Sequence, residues 1–270
     1  MKKFLIIFSL IFYIVLFAQI EEKIKSHNPI NPGALKVGEE LTYIVRYTFI
    51  PIGEIKLKIL RKYNKDGRTV YETKANIDSY EGLPFVDLHS IYTSHVTDKF
   101  FSEFFFALDK HSYGWTFTKY DFDYKKGYVI AQRGFRDGWQ VHFHDTVKIN
   151  QPIQDGLSIY YYARGFARQQ KSFDIVTYLN ENMSVTKINF YKQTYPVKID
   201  AVDYEIDCVR LDGVLGYTGI FGLTGNYEGY FTNDEACIPV KATLKVIIGN
   251  INIELKSWKR DGWNPPKRKG

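Results

Sequence analysis

The chain has 270 residues and a formal net charge of +6, with 36 basic and 30 acidic side chains dispersed along it. This mild and scattered excess argues against a nucleic-acid-binding protein, because such proteins gather their basic residues into one stripe or patch. Phe, Tyr and Trp together make up 17% of the sequence, so the chain is long and aromatic enough to bury a large core.

A hydrophobic leader opens the chain. Lys2 and Lys3 precede an apolar run from Phe4 to Ala18 that contains one serine, Ser9, and the polar stretch EEKIKSHN follows shortly afterwards. The apolar run is shorter than the roughly 20 residues that span a bilayer as a helix. We therefore predict a signal peptide over residues 1–19 and an exported protein, with an uncleaved N-terminal anchor as the alternative. No cysteine near the cleavage region offers a site for lipid attachment.

The rest of the chain has no linker rich in proline, serine or glycine and no repeat of fixed period, which favours one domain. We predict a flexible N-terminal segment over residues 20–36 and a single all-β domain over residues 37–260. The basic run Pro266-Lys267-Arg268-Lys269 predicts a disordered tail over residues 261–270, since short terminal charge runs are usually solvated.

Alternating apolar residues dominate the predicted domain. The sequence EELTYIVRYTF, which begins at Glu39, puts its odd-numbered apolar residues on one face, as a β-strand does. Turn segments such as Asn64-Lys65-Asp66-Gly67 link many such runs, which predicts a long antiparallel meander. Because sheets with so many strands curl or close, we predict a mainly β fold. It is a single large curved antiparallel sheet or half-open β-barrel, with one main helix packed on the concave side.

One segment predicts that helix, within residues 154–169, and it begins with the sequence QDGLSIYYYAR. Asp155 is a good N-cap, because its side chain can accept a hydrogen bond from the backbone N–H of Leu157 or Ser158. Four residues follow the spacing of one helical face, which we place against the sheet: Leu157, Tyr160, Tyr161 and Arg164.

The helix either plugs the curved sheet or covers a ligand. In the second case we predict that Leu157, Tyr160, Tyr161 and Arg164 bind the ligand, with Arg164 placed to meet an acidic head group. Tyr162 is expected to face elsewhere. A continuous pocket of roughly several hundred Å³ would favour a ligand, and a tightly packed interior would favour the plug.

No fragment predicts a catalytic residue, a metal site or a cofactor. His142 and His144 lie two apart on a predicted strand and could share a metal ion. The alternation puts both on the exposed side, however, and no third ligand is identifiable. Asp121 and Asp123 also share a strand face, where pairing with neighbouring lysines is the commoner arrangement. An enzyme is therefore neither predicted nor excluded.

Two cysteines, Cys208 and Cys237, lie in strand-like segments separated by one further strand-like piece. In an oxidising compartment they could form one disulfide. Two buried free thiols that act as small hydrophobic side chains are the equal alternative, and spacing alone does not choose between them.

Three fragments, taken in order, resemble the DUF3108 family of exported bacterial proteins. The first is Val37-Gly38-Glu39-Glu40-Leu41-Thr42-Tyr43 followed by Ile52-Gly53. The second is Gln154-Asp155-Gly156-Leu157-Ser158 leading into the run from Tyr160 to Arg164. The third is Tyr230-Phe231-Thr232-Asn233-Asp234-Glu235 before Ile238-Pro239-Val240.

The resemblance implies a fold related to the half-open barrels of the lipoprotein carriers LolA and LolB, which hold acyl chains between a curved sheet and covering helices. It also implies a periplasmic or outer-membrane-associated envelope protein of a Gram-negative bacterium, and it transfers no catalytic residue. The short sequence Asp145-Thr146-Val147 fits an O-glycosylation pattern of exported proteins in Bacteroidetes-like bacteria, which favours a host of that kind. Our first hypothesis is therefore an envelope protein that binds or carries a lipid or another lipophilic or amphipathic molecule, with peripheral membrane contact. The alternatives are a structural or assembly factor with an envelope protein as partner, and a hydrolase of envelope glycans or lipids.

Overall fold

The computed structural model describes residues 15, 18–26, 28–84, 86–217, 225–246 and 249–269. The predicted signal peptide lies almost entirely outside these residues. Fourteen strands are formed within the described ranges: β1 (Glu40–Tyr47), β2 (Ile50–Lys65), β3 (Arg68–Ser79), β4 (His89–Thr97), β5 (Ser102–His111), β6 (Gly114–Asp123), β7 (Tyr128–Phe135), β8 (Gln140–Lys148), β9 (Ser172–Leu179), β10 (Asn182–Val197), β11 (Ile206–Leu215), β12 (Gly225–Thr232), β13 (Pro239–Lys245) and β14 (Asn250–Lys259).

All of these strands join one antiparallel sheet. Sequence neighbours pair along β1 to β8 and along β9 to β14, and β1 pairs with β14. The edges are therefore β8 and β9, the two strands that flank the predicted helix in sequence. The mainly β fold and the antiparallel meander are confirmed.

The sheet is curled so strongly that its β9 edge lies close to β6 and β7. The ring centroids of Tyr120 on β6 and Tyr178 on β9 are 4.8 Å apart. Arg133 on β7 forms an ion pair with Glu181, just after β9, at 3.1 Å. Gln154, in the segment that crosses from β8 to β9, adds one parallel bridge to β9. The result is a half-open barrel whose concave face encloses the core.

Strand alternation fills that concave face with apolar side chains. On β1, Leu41, Tyr43 and Val45 are buried, as their spacing predicts. The register continues this face across the sheet, since Tyr43 lies opposite Ile55 and Leu41 opposite Leu57. The helix over Ser158–Phe166 packs into the same cluster of buried residues.

Two α-helices lie within the described residues: α1, residues 18–26, and α2, Ser158–Phe166. Neither is long and apolar enough to span a bilayer. The second is shorter than the predicted range of 154–169. Ala167 has a non-helical ψ of 147°, and Arg168 has a positive φ of 75°, so the chain turns away from the helix there.

The segment 20–36, which we expected to be flexible, packs against the sheet in this structure. Ile20 and Ile24 of α1 are buried in the core. Glu21, between them, forms an ion pair with Arg68 of β3 at 3.1 Å. Two apolar residues one helical turn apart anchor this segment, and neither was part of a recognised periodic pattern.

The basic tail, which we expected to be disordered, is also attached to the sheet. The indole N–H of Trp263 donates to Asp234 at 2.7 Å. The backbone N–H of Arg268 donates to the carbonyl of Glu205 at 2.8 Å, and Lys267 forms a bridge with Ile206. Backbone pairing and a tryptophan anchor therefore outweigh the charge of this segment.

Candidate functional site

The N-terminal end of α2 is held by a buried carboxylate. Asp155 Oδ1 accepts the backbone N–H groups of Leu157 and Ser158 at 2.6 and 2.7 Å, as the N-cap prediction requires. Its Oδ2 accepts the hydroxyl of Ser94 at 2.6 Å and that of Ser102. Ser158 Oγ in turn accepts the Asp155 N–H, which completes a reciprocal cap.

Burial raises the pKa of Asp155, while its four hydrogen bonds act in the opposite direction. The carboxyl is 1% exposed, so each of these donors would lose its partner without access to water if the side chain were removed. The cap therefore fixes where the helix begins on the concave face.

The C-terminal end of α2 is held by the segment before β1. Asn31, which is buried, donates from Nδ2 to the carbonyls of Arg164 and Ala167 at 3.0 and 2.9 Å. These are carbonyls that a helix leaves without partners at its end. Gly165 permits close packing here, because a Cβ at this position would lie 2.8 Å from the ring of Phe100.

Arg164 lies at the centre of a buried ionic cluster. Its guanidinium is 0% exposed and meets Glu39 through two hydrogen bonds, from Nη1 to Oε1 at 2.6 Å and from Nη2 to Oε2 at 2.9 Å. Its Nε and Nη2 also donate to the carbonyl of Ala236 at 3.3 and 3.0 Å. Arg260 donates from Nη1 to Oε2 of the same carboxylate and from Nη2 to the carbonyl of Gly33.

This geometry argues against the predicted contact between Arg164 and an acidic head group, because Glu39 already pairs with the guanidinium. Burial alone would lower the pKa of the guanidinium, but the carboxylate of Glu39 outweighs it and raises that pKa. The charge of Arg164 is thus already paired within the protein, and the side chain does not line the cavity described next.

A cavity of about 270 Å³ lies beside α2, between the two halves of the curled sheet. One wall is formed by residues of β1 to β4, among them Tyr43, Ile55 and Ile77. The opposite wall comes from β10 to β14, including Leu211 and Phe231. The helix side adds the following residues: Gly156, Leu157, Ile159, Tyr160 and Ala163.

The polar groups of the cavity are few. The hydroxyls of Tyr43 and Tyr160 are 2.9 Å apart and form a hydrogen bond to each other. Burial raises the pKa of Tyr160 to about 12 and raises the pKa of Tyr43 well above its ordinary value, so both phenols are neutral at physiological pH. The site therefore offers apolar walls and a hydroxyl pair, which suits binding rather than acid–base chemistry.

The four predicted ligand-binding residues fall into two groups in the structure, according to whether they line the cavity. Leu157 and Tyr160 line the cavity, whereas Tyr161 and Arg164 do not. Tyr162, expected to face elsewhere, is also buried, and its ring lies 4.3 Å from that of Phe166. The helix is buried on several sides because the curled sheet surrounds it. Ligand contact by Leu157 and Tyr160 stays a prediction.

Sequence reasoning missed Glu39, Arg260 and Asn31. A signal existed for Glu39, which immediately precedes β1, because the strand alternation extended by one residue puts it on the inward face with Leu41 and Tyr43. A glutamate on an inward face needs a cation as partner. No comparable local pattern marks Arg260 or Asn31, since their partners lie far away in sequence.

The histidine pair lies outside this site. His142 and His144 are exposed on the β8 edge strand, on the side that the alternation predicted. Across the described ranges, no three His, Cys, Asp or Glu residues lie close enough together to hold a metal ion. Asp121 and Asp123 form ion pairs with lysines, at 2.7 and 3.5 Å respectively.

Cys208 and Cys237 are buried free thiols in this structure, which is the second of the two arrangements considered above. Burial raises the pKa of the Cys237 thiol to about 12 and shifts that of Cys208 upward as well. Both are therefore protonated at neutral pH and lack the thiolate that nucleophilic chemistry requires.

The family model for DUF3108, a protein of unknown function, matches residues 42–256. The chain belongs to the DUF3108 family. In this DUF3108 chain, the three fragments that resemble the family meet around α2: Glu39 of the first pairs with Arg164, and Asp155 of the second caps the helix. Asp234 of the third shapes the loop before Ala236, whose carbonyl accepts from Arg164.

Two solved structures are similar to the DUF3108 chain. A β-barrel-like protein of the domain of unknown function DUF1849 from Brucella abortus has 10% identity and a TM-score of 0.49, covering 82% of this chain and 97% of its own. A protein assigned as exported, with a YmcC-like fold, from Bacteroides fragilis has 7% identity and a TM-score of 0.33, covering 83% and 97%. Both are too distant to carry a functional inference. No curated protein matches the chain.

Proposed function

We propose that this protein binds one lipophilic molecule in the cavity beside α2, as an exported protein of the bacterial envelope. The observation that carries the proposal is the cavity itself. It is walled mainly by aliphatic and aromatic side chains and does not include the ionic cluster of Arg164 and Glu39. Apolar space of this kind favours an apolar guest, since burying its surface is the main favourable contribution to binding.

The size of the cavity limits the ligand. At about 270 Å³ it lies near the lower end of ligand sites, which run from about 300 to 1,000 Å³. An apolar cavity of about 150 Å³ already accepts benzene. A single alkyl chain or a small lipophilic ring system fits this range better than a lipid with several chains.

A cavity-filling variant tests the proposal. Ala242 of β13 lines the cavity and is only partly buried, so Ala242→Trp should occupy the space without cutting into the packed core. We expect the variant to bind the neutral fluorophore N-phenyl-1-naphthylamine at least about tenfold more weakly than the wild type, because the guest loses its apolar contacts. Fluorescence titration of the purified mature chain measures this.

The matched control is Ala201→Trp, which adds the same side chain at an exposed turn. It should bind the fluorophore as the wild type does. Ala163→Leu, on the helix side of the cavity, provides a second filling variant if Ala242→Trp does not fold. Equal binding by wild type and folded filling variants would reject the cavity as the site.

A role in envelope assembly is the second candidate, and the β8 edge favours it. Trp139 and Val141 at this edge are 58% and 49% exposed, and apolar residues on an open edge strand are typical of a protein contact. Photocrosslinking in cells from position 141 should then capture one envelope protein. Capture equal to that from exposed position 201 would reject this role.

A further inference from the structure

We infer that the cavity selects ligands whose polar end is uncharged and accepts or donates a hydrogen bond at the Tyr43–Tyr160 hydroxyl pair. The inference rests on the proposed binding function and specifies its ligand class: long-chain alcohols, esters and similar neutral amphiphiles, as opposed to fatty acid anions or phosphorylated lipids.

The first support is that no uncommitted cation faces the cavity in the part of the chain that the structure describes. Arg164 gives its donors to Glu39 and to the carbonyl of Ala236. Lys241 is the one basic residue of the lining, and its ammonium pairs with Glu254 at 3.1 Å and bonds the carbonyl of Lys198 at 3.2 Å.

The acidic residue of the lining is committed as well. Glu228 lies 3.5 Å from Arg210, which also pairs with Asp212 at 2.9 Å. The sequence TGIFGLT, which joins Tyr217 to Gly225 on β12, contains no ionisable residue. The described lining therefore supplies no uncommitted counter-ion for a charged head group, and a charge buried without a partner is strongly disfavoured.

The second support is the hydroxyl pair itself. Two phenol groups carry two protons and four acceptor lone pairs, and their mutual hydrogen bond at 2.9 Å uses one proton and one lone pair. Arg164 takes a further acceptor position on Tyr160, so one donor and two acceptor positions of the pair remain for a ligand. This capacity matches a hydroxyl or an ester carbonyl, each of which needs one or two hydrogen bonds.

The third support is that neighbouring side chains hold the Tyr160 phenol in a fixed position. Its ring lies 5.7 Å from the guanidinium of Arg164 and 6.5 Å from the ring of Tyr43, so the buried cluster fixes the phenol in position. Arg164 also hydrogen-bonds the Tyr160 hydroxyl, so the ionic cluster orients the polar group of the cavity.

Displacement of bound N-phenyl-1-naphthylamine tests the inference with three ligands of matched chain length: 1-dodecanol, methyl laurate and sodium laurate at a pH where laurate is ionised. We expect the two neutral compounds to displace the fluorophore at concentrations at least about tenfold lower than laurate. Laurate that displaces as well as dodecanol would overturn the inference and leave the binding function standing. A wild-type protein that does not bind the fluorophore at all would overturn both.

A tyrosine variant locates the polar contact. Tyr160→Phe should weaken dodecanol binding by about two- to tenfold, the usual effect of one hydrogen bond. Tyr63→Phe is the control, because Tyr63 does not line the cavity. Its hydroxyl forms a hydrogen bond of 2.9 Å with the Nδ1 atom of His95. Equal dodecanol affinity in all three proteins would place the head group elsewhere and contradict the inference.

Discussion

Replacing Glu39 by glutamine is expected to destabilise the protein by about 3–5 kcal/mol, the usual cost of breaking a buried ion pair. The carboxylate forms ion pairs with two arginines, Arg164 and Arg260, whose side chains are 0% and 8% exposed. A neutral amide cannot compensate either charge, and water cannot reach Arg164 to replace it. Urea unfolding followed by circular dichroism measures the loss.

The next residue supplies a matched control. Glu40 also forms an ion pair, with Lys58 at 2.8 Å, but its side chain is 41% exposed. Exposed pairs contribute about 0–1 kcal/mol, so Glu40→Gln should change the free energy of unfolding by less than about 1 kcal/mol. Equal effects of the two substitutions would show that the Glu39 cluster is not the buried anchor of α2.

The second large effect is expected at the opposite end of the helix. Asp155→Ala removes one acceptor group from four donors: the hydroxyls of Ser94 and Ser102 and the backbone N–H groups of Leu157 and Ser158. Loss of an N-cap costs about 0.5–2 kcal/mol, and each buried unsatisfied hydroxyl adds about 1–3 kcal/mol. We expect a total near 3–5 kcal/mol in the same unfolding assay.

Two comparisons make this result specific. Asp123→Ala removes a carboxylate that accepts one exposed backbone N–H, from Lys126 at 2.9 Å, and should cost less than about 1 kcal/mol. Adding Ser94→Ala to Asp155→Ala should recover part of the loss, because the orphaned hydroxyl is removed with its partner. Independent, additive effects of Asp155→Ala and Ser94→Ala would contradict the shared hydrogen bond.

The sheet could be predicted from the sequence because short stretches of the chain specify each strand and each turn. Alternation such as that of Leu41, Tyr43 and Val45, with turns between the runs, specifies strands and their neighbours. The cap at Asp155 could also be predicted from the sequence, since its partners Leu157 and Ser158 lie within three residues. These features depend on short stretches of chain that no distant contact overrides.

The candidate site could be predicted only in part, because its decisive contacts join residues far apart in sequence. Helical spacing put Arg164 on the inward face, but its partner Glu39 lies 125 positions earlier. When the sequence is considered without that partner, Arg164 is interpreted as an unpaired charge that could bind an acidic ligand. The same holds for Ile20 and Trp263, whose packing depends on where the sheet curls and not on their own neighbours.

The central claim is that the apolar cavity is occupied by a lipophilic guest in the envelope. Native mass spectrometry of the mature protein, purified without detergent from the periplasm of a Gram-negative host, tests it most directly. We predict that the wild type and Ala201→Trp carry a small lipophilic adduct of one-to-one stoichiometry, which organic extraction releases. Ala242→Trp should lack it. An adduct-free wild type that also fails to bind added N-phenyl-1-naphthylamine, or an adduct that persists in folded Ala242→Trp, would contradict the account.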